Sequence, residues 1–233
     1  MKYAVVTGSS RGIGAEVAKI LGKQGYSVAI CYNSNKEKAE EIAFHLAKQG
    51  VFAITVKLDL EDPECVRQGF EQVYKCFPRV DLLINNAAVD VIKPFEELST
   101  IEWNKIVNVN LTGLFLTTRE VCPRMRDTGG SIINVSSVWG SLGASCEVAY
   151  SASKAGVEGF TRALAKEYPS LNIYAVSIGY ADTDMNADLS EEDIRDFLQE
   201  YPFVTRKSAE QVAQSIVNTL NQAVESGSTV KLW

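Results

Sequence analysis

The sequence predicts an α/β fold in which one parallel sheet is covered by helices on both faces. Short apolar segments rich in β-branched residues alternate with longer amphipathic segments along the chain. Apolar strands separated by helices are typical of doubly wound parallel sheets. Neither an internal repeat nor a shift in composition marks a second domain. We therefore expect a single domain over residues 1–233.

The order of the elements follows from this alternation. Strands are predicted at 3–7, 27–31, 53–57, 82–85, 131–135, 173–177 and 229–232. Helices are predicted near 13–24, 36–49, 63–77, 101–125, 150–168 and 208–225. One long irregular stretch, at about 179–207, carries Asp182, Asp184 and Asp188. It is either a solvated surface excursion with a short helix or a lid at the carboxyl edge of the sheet, where such folds bind ligands, and its position favours the lid.

The composition excludes several classes of function. The net charge is −6, with 23 basic and 29 acidic residues and no basic run, which argues against a nucleic-acid partner. His45 is the only histidine, so a zinc site and a Ser-His-Asp triad are not expected, and we predict no metal. The five scattered cysteines indicate reduced thiols, and no leader or membrane-length apolar run is present. We expect a cytoplasmic protein without a membrane partner.

A glycine-rich loop follows the first predicted strand directly. Gly8, Gly12 and Gly14 stand between that strand and the first helix, with Ser10, Arg11 and Ile13 among them. Glycines let the backbone approach a pyrophosphate, and a helix N-terminus offers it free amides and a favourable dipole. The loop predicts a dinucleotide site, and a purely structural tight turn is the alternative.

The end of the second strand bears on the choice of cofactor. An acidic residue there would bind the ribose hydroxyls of NADH and repel a 2′-phosphate. The chain instead has Asn33 and Ser34, and Arg11 adds a cation in the glycine loop. These residues favour NADPH over NADH. The alternative is that Arg11 points into solvent and Glu37 reaches back to the ribose.

Tyr150 and Lys154 stand one helical turn apart, thirteen residues after Ser137. A lysine four residues after a tyrosine lies on the same helix face. An ammonium about 4 Å from a phenolate gains roughly 4 kcal/mol at an effective dielectric near 20. That energy would lower a tyrosine pKa from about 10 to about 7, which suits proton transfer at neutral pH. The same spacing is also common on helix surfaces without any function.

The motifs occur together in a characteristic order. With the glycine loop, the segment 85–88, Asn110, Ser137, Tyr150 and Lys154, the chain resembles the short-chain dehydrogenase/reductase family over almost its whole length. The resemblance implies a Rossmann fold of about seven strands and a metal-free carbonyl reduction. It implies Tyr150 as general acid, Lys154 as the residue that tunes it and holds the nicotinamide ribose, Ser137 as carbonyl donor, and Asn110 as holder of a relay water. The predicted cofactor contacts are Gly8, Ser10, Arg11, Gly12, Ile13, Gly14, Asn33, Ser34, Asp59, Leu60, Asn86, Ala87, Tyr150, Lys154, Gly179 and Thr183.

Some positions depart from the family pattern. Ile178-Gly179 replaces the usual Pro-Gly after the sixth strand, which should loosen the backbone there, and Ala88 replaces a glycine. The C-terminal segment 227–233 lacks the tail that supports tetramers in relatives. We expect a homodimer through the helices near 101–125 and 150–168, or a homotetramer.

The segment between Ser137 and Tyr150 bears on the substrate. It resembles that of elongation factor P 5-aminopentanone reductases, which reduce a ketone on a modified, amine-bearing lysine. Trp139, Glu147 and Tyr180 are the predicted substrate contacts, with Glu147 facing the amine. Alternatively, Glu147 interacts with the dipole of its helix and Trp139 fills the core.

Two other functions stay open. A 3-oxoacyl-(acyl-carrier-protein) reductase would resemble this chain too, although the arginine usual before the sixth strand is missing, leaving Arg124 and Arg126 to dock the carrier. A non-catalytic NADP-sensing protein is the remote alternative, disfavoured because such proteins typically lose the tyrosine or the lysine.

Overall fold

A computed structural model describes residues 1–187 and 189–233. The strands are β1 (Lys2–Val6), β2 (Tyr26–Tyr32), β3 (Ala53–Lys57), β4 (Leu82–Asn85), β5 (Ser131–Ser137), β6 (Asn172–Ile178), β7 (Ala181–Asp182), β8 (Lys207–Ser208) and β9 (Thr229–Leu232). The helices are α1 (Gly12–Lys23), α2 (Lys36–Lys48), α3 (Pro63–Cys76), α4 (Thr100–Val107), α5 (Gly113–Met125), α6 (Val138–Leu142), α7 (Val148–Glu167), α8 (Glu191–Glu200) and α9 (Ala209–Asn218).

Seven strands form one parallel sheet in the order β3-β2-β1-β4-β5-β6-β9. The predicted fold class is confirmed, and each predicted sheet strand is present to within two residues. The chain reverses its direction of winding between β1 and β4. Parallel sheets of this kind bind ligands beyond the carboxyl ends of the strands at such a switch point.

Successive side chains of the central strands alternate between two apolar cores, because the strand period is two. In β1, Ala4 and Val6 face the layer that contains α1 and α9, whereas Val5 faces the layer that contains α3 and α5. All three side chains are fully buried. Burial on both faces explains why the sheet strands read as continuous apolar segments rather than as alternating ones.

Two predicted helices differ from the observed ones. The helix expected at 101–125 is divided by a π-helical turn at Asn108–Thr112 between α4 and α5. The helix expected at 208–225 ends as α9 at Asn218 and continues only as a 3-10 turn over Thr219–Asn221. That turn is fixed by the buried Thr219 hydroxyl, which is 2.9 Å from the Tyr174 hydroxyl.

The stretch at 179–207 is ordered by its own short elements. β7 pairs with β8, and α8 begins at a capping box formed by Ser190 and Asp193. Arg206, near the end of the stretch, pairs with Asp182 near its beginning at 3.0 Å and with Glu191 at the start of α8 at 2.7 Å. Asp188, which belongs to the predicted acidic stretch, lies outside the described residues. None of the helices in the described part of the chain is long and apolar enough to cross a membrane.

Candidate active site

A cavity of about 460 Å³ opens at the carboxyl ends of the central strands. Its size is within the range of small-molecule and cofactor sites. Of the predicted catalytic, cofactor and substrate residues, those that line it are Gly8, Ser10, Arg11, Gly12, Ile13, Asn33, Ser34, Leu60, Asn86, Ala87, Ser137, Trp139, Glu147, Tyr150, Lys154, Gly179, Tyr180 and Thr183. Gly14, Asp59 and Asn110 are near the cavity in sequence but are not among its lining residues.

The glycine loop is shaped so that only glycine fits at key positions. Gly8 and Gly12 have φ values of +61° and +56°, in the left-handed region that favours glycine. A Cβ on Gly14 would lie 2.5 Å from the Gly8 carbonyl oxygen. The loop therefore packs tightly and directs the N-terminus of α1 at the cavity, which is the arrangement that holds a pyrophosphate.

The segment after β4 is tied to the glycine loop. The Thr7 hydroxyl accepts hydrogen bonds from the backbone N–H groups of Asn86 (2.9 Å) and Ala87 (3.0 Å). The Asn86 side-chain amide donates in turn to the Thr7 carbonyl at 3.0 Å. These bonds fix Asn86 and Ala87 on the cavity wall and leave little freedom between the two loops.

The end of the cavity next to the segment after β2 contains small polar side chains. Asn33 and Ser34 line it, whereas Glu37 is not among its lining residues, and the contacts of these residues with a cofactor stay a prediction. Arg11 lines the cavity, and its guanidinium forms an ion pair with the Asp184 carboxylate at 2.9 Å. The alternative in which Arg11 points only into solvent therefore does not hold. The Asp59 carboxylate accepts the Glu61 N–H at 3.1 Å, and its contact with adenine stays a prediction.

Ser137, Tyr150 and Lys154 meet on one wall of the cavity. Ser137 ends β5, and the other two lie one turn apart on α7, where Tyr150 is 8% and Lys154 is 2% exposed. The Ser137 hydroxyl accepts the Trp139 N–H at 3.3 Å, and its side chain is close enough to Tyr150 to lower the pKa of the phenol. The Lys154 ammonium lies 5.5 Å from the centre of the Tyr150 ring and donates to the Val135 carbonyl at 2.8 Å.

Asn110 lies in the π-helical turn and is buried. Its side-chain oxygen accepts the Val89 N–H at 2.8 Å, and its amide donates to the Val89 carbonyl at 2.9 Å and to the Ser153 hydroxyl at 3.1 Å. The side chain therefore holds the segment after β4 against α7. Its predicted role in holding a relay water stays a prediction.

The comparisons with known proteins agree with this geometry. The family model described as short chain dehydrogenase matches residues 2–194. The chain is 39% identical over 220 residues to a 3-oxoacyl-(acyl-carrier-protein) reductase of Aquifex aeolicus, covering 93% of this chain and 88% of that protein. It is 35% identical over 204 residues to the protein of the same name from Staphylococcus aureus, covering 86% and 83%. A Synechocystis protein, also named 3-oxoacyl-(acyl-carrier-protein) reductase, is 35% identical over 218 residues, covering 92% and 87%.

This chain belongs to the short-chain dehydrogenase/reductase family. It is an NAD(P)-dependent oxidoreductase that acts on the C=O/CH–OH couple. The geometry of the glycine loop fits such a cofactor. A Cβ at Gly8 would lie 2.9 Å from the Ala87 Cα and would reduce the space that the loop leaves for a pyrophosphate.

In this short-chain dehydrogenase/reductase, burial is the main influence on the pKa values of the acid–base groups. Burial raises the pKa of Tyr150, and the charges of Asp90 and Glu147 raise it further, whereas the Ser137 hydroxyl opposes them. Burial lowers the pKa of Lys154 to about 8. The expected lowering of the Tyr150 pKa is thus reversed in this structure, because desolvation disfavours the phenolate. Tyr150 is held as the neutral phenol, which is the form a general acid needs.

Glu147 and Asp90 both act on the pKa of Tyr150, but the sequence predicted only Glu147 as a site residue. Glu147 stands at the N-terminus of α7 but makes no side-chain capping bond. Burial raises the pKa of its carboxyl group, and a hydrogen bond and the charge of Asp90 raise it further, whereas Trp139 opposes them through a hydrogen bond. Asp90 also lines the cavity, and no sequence motif pointed to it.

Asp184 and Phe197 are among the further lining residues that were not predicted as site residues. Both come from the stretch 179–207, whose acidic and aromatic composition gave the only sequence signal for them. Gly179 is required by this stretch, since a Cβ there would lie 2.7 Å from a Val204 methyl. The backbone at Ile178 is not loose, because this residue pairs with Ser137 of β5 and Leu232 of β9.

The described residues contain no group of three or more His, Cys, Asp or Glu side chains that could hold a metal ion. The five cysteines are free, and burial raises the pKa of the Cys31 thiol to about 12.

Proposed function

We propose that this chain is an NADPH-dependent reductase that converts a ketone into an alcohol. The observation that supports this best is the meeting of Tyr150, Ser137 and Lys154 beside the glycine loop. The bound reduced nicotinamide would supply the hydride. The Ser137 O–H would donate to the carbonyl oxygen and polarise the carbonyl, and the Tyr150 phenol would transfer its proton to the same oxygen as negative charge develops there.

The electrostatics of the site support the direction of reduction. Oxidation of an alcohol needs Tyr150 as phenolate, whereas reduction needs it as phenol. Because burial and two neighbouring carboxyl groups raise the Tyr150 pKa, the phenol predominates at neutral pH. Lys154 would hold the ribose hydroxyls of the cofactor with the charge that it retains below about pH 8.

NADPH is proposed over NADH because of the residues around the adenosine end. Tyr32, Asn33, Ser34 and Asn35 line the cavity after β2, and none of them would repel a 2′-phosphate. Arg11 is close enough to the cavity to bind that phosphate. In doing so it would exchange its exposed bond to Asp184 for one to the cofactor, at small cost, because exposed ion pairs contribute only about 0–1 kcal/mol.

The stretch 179–207 is proposed as a lid that belongs to the same catalytic domain. Tyr180, Thr183, Asp184 and Phe197 bring it to the cavity wall. The ring centres of Trp139 and Phe197 are 5.3 Å apart, so the lid packs against the segment that carries the predicted substrate contacts. The lid would exclude water from the reacting atoms.

For the substrate, the relatives favour the 3-oxoacyl group of an acyl-carrier-protein thioester. The three relatives described above carry that name, and we propose this class as the first substrate to test. They give no support to the 5-aminopentanone group that the segment between Ser137 and Tyr150 suggested. We also propose a cytoplasmic location, which the five free cysteines favour, and a homo-oligomeric state, which the family resemblance predicts.

A ketone that bears an amine is the second candidate, and one observation favours it. The carboxyl groups of Asp90 and Glu147 line the cavity beside Tyr150, where a neutral acyl chain would gain nothing from them.

The test of the proposed function is NADPH oxidation with a 3-oxoacyl carrier-protein thioester and with the amine-bearing ketone on a protein lysine. Tyr150→Phe is expected to lower kcat by about 10²–10⁴ because the proton donor is lost, while NADPH still binds. Tyr74→Phe removes a phenol that bonds the Glu120 carbonyl away from the site, and serves as the matched control. Tight NADPH binding without turnover of any ketone would contradict the proposal and favour a sensing role.

A further inference from the structure

Trp139 stands between the catalytic phenol and the proposed lid. It lies in α6, two residues after Ser137, and its side chain lines the cavity. On one side it packs against the apolar cluster that contains Tyr150. On the other side it packs against the cluster that contains Tyr180 and Ile194 of the lid. The indole therefore forms the cavity wall between the phenol and the lid.

The backbone that carries this indole is fixed in place. α6 packs so closely on α7 that a Cβ on Gly140 would lie 2.9 Å from the Lys154 carbonyl carbon and 2.9 Å from the Ser136 hydroxyl oxygen. The Trp139 N–H also donates to the Ser137 hydroxyl at 3.3 Å. The start of α6 is thus tied to the strand and the helix that carry the catalytic side chains.

A row of aromatic rings holds the other side of the indole. Phe197 and Tyr201, one turn apart on α8, both meet it edge-on, with ring centres 5.3 Å and 5.2 Å away. Tyr201 contacts Phe203 at 6.0 Å between ring centres, and Phe203 contacts Trp233 at 5.3 Å. The Trp233 indole N–H donates to the buried Ser177 hydroxyl of β6 at 2.9 Å. The row is anchored in the main sheet, so packing holds the first indole against the cavity.

The space in front of the indole is small. The cavity of about 460 Å³ has to accommodate the proposed dinucleotide as well as the substrate. A site for one small molecule already takes about 300–1,000 Å³. A ketone whose oxygen is bound by Ser137 and Tyr150 therefore has room for a short chain. A longer chain would have to displace the Trp139 indole, which borders this space.

We propose that Trp139 is a specificity-determining residue that restricts the substrate to ketones with a short chain. The proposal rests on the reductase activity proposed above and specifies the chain length that the same site accepts. A short chain fits in front of the indole, whereas a long chain requires the indole to leave its packing between the two clusters. Close-packed side chains resist such a shift, so the long chain loses binding in the transition state.

Thioesters that differ only in chain length provide the test. NADPH oxidation by the intact chain gives kcat and KM for the 3-oxobutanoyl, 3-oxohexanoyl and 3-oxodecanoyl thioesters of N-acetylcysteamine. We expect kcat/KM to be at least about tenfold higher for the 3-oxobutanoyl than for the 3-oxodecanoyl thioester. One methylene group that a pocket does not fit already changes this value by about tenfold or more.

Substitution of the indole assigns the limit to Trp139. Trp139→Ala is expected to raise kcat/KM for the 3-oxodecanoyl thioester by about tenfold and to lower it for the 3-oxobutanoyl thioester, which loses a contact. Trp139→Phe has a smaller ring and should shift both values in the same directions by less. It also serves as the test where the alanine variant does not fold. Destabilisation lowers both values, so a merely structural role cannot produce a gain with the long thioester.

Trp103→Ala is the matched control, because it removes an indole of the same size. Trp103 lies in α4 and packs against the cluster that contains Tyr150, but it is not among the residues that line the cavity. The ratio of the two kcat/KM values is expected to stay that of the unsubstituted chain. Circular dichroism checks that each variant is folded.

The outcomes separate this inference from the proposed function. Equal kcat/KM for the three thioesters, or a loss with both the short and the long thioester in the Trp139 variants, would overturn the size limit and leave the reductase intact. If no thioester turns over while another ketone does, calorimetric binding with NADP⁺ present decides. Equal Kd values, or no binding of the short thioester, then overturn the size limit. Absence of NADPH oxidation with every ketone, thioesters included, would instead contradict the proposed function.

Discussion

Tyr150 shows how the surroundings of a residue decide its chemistry. The lysine one turn away would favour the phenolate, yet the lysine ammonium donates to the Val135 carbonyl and lies 5.5 Å from the ring centre. Burial of the phenol then dominates its pKa, with Asp90 and Glu147 acting in the same direction. Helical spacing gives the side on which two residues lie, but it gives neither the depth of burial nor the charges contributed by distant segments.

The rate of reduction is expected to depend on pH through Lys154. Burial lowers its pKa to about 8, so the ammonium is charged below this pH and lost above it. Tyr150 remains protonated through the same range because its pKa is raised. We expect kcat/KM for ketone reduction to be level up to about pH 8 and to fall about tenfold per pH unit above it.

The rate of oxidation of the product alcohol should instead rise with pH below about pH 8. Oxidation needs the phenolate of Tyr150, and the phenolate fraction increases as the pH approaches the raised pKa of this residue. Steady-state rates in both directions, measured at constant ionic strength, check this prediction. A reduction rate that stays level to about pH 10 would show that the charge of Lys154 is not required.

At the scale of elements, the contact between the glycine loop and α1 leaves no room for a side chain at Gly14. A Cβ there would lie 2.5 Å from the Gly8 carbonyl oxygen and 2.6 Å from the Asn86 amide nitrogen. We expect Gly14→Ala to destabilise the protein by about 1–3 kcal/mol, as overpacking does, and to weaken NADPH binding because the loop is displaced. Thermal unfolding and NADPH titration measure the two effects.

Gly159 provides the matched control in another helix. It lies within α7, and a Cβ there would meet only an Arg162 side-chain nitrogen, at 3.8 Å. Gly159→Ala is expected to stabilise the protein by about 0.5–1 kcal/mol, since alanine is the better helix former. Equal effects of the two substitutions would show that the loop can shift to accept a side chain.

Prediction from sequence succeeded where the signal is local. Both faces of the sheet are covered, so its strands are short apolar segments whose bounds can be read directly. The π-helical turn at Asn108–Thr112 was missed, because the apolar pattern continues through it from α4 to α5. Asp90 and Phe197 were missed for another reason: they reach the cavity from segments without a motif, and only tertiary packing brings them there.

At the scale of the whole molecule, exposed apolar side chains on neighbouring helices predict self-association. Ile101 on α4, Phe115 on α5 and Val148 on α7 are 82%, 41% and 39% exposed. Stable dimers bury about 1,600 Å² in total, and apolar residues of this size contribute much of that area. These are also the helices through which the family resemblance predicts a dimer.

We expect a homodimer that Phe115→Glu converts into a monomer, because the interface would then bury a charge. Sedimentation velocity at micromolar concentration measures the change. Phe44→Glu is the control, since Phe44 is 62% exposed on α2, outside this set of helices. A wild-type chain that sediments at 25.5 kDa would contradict the prediction.

The stacking of Trp139 against the stretch 179–207, the proposed lid, has a practical consequence. Its ring lies 5.3 Å from Phe197 and 5.2 Å from Tyr201, so any displacement of this part of the chain changes the polarity around the indole. The chain has only three tryptophans, and Trp139 is the one on the cavity wall. Trp233 lies 5.3 Å from Phe203 of the same stretch, so the intrinsic fluorescence of these two tryptophans is a built-in optical reporter with which movement of the proposed lid can be tested without a label.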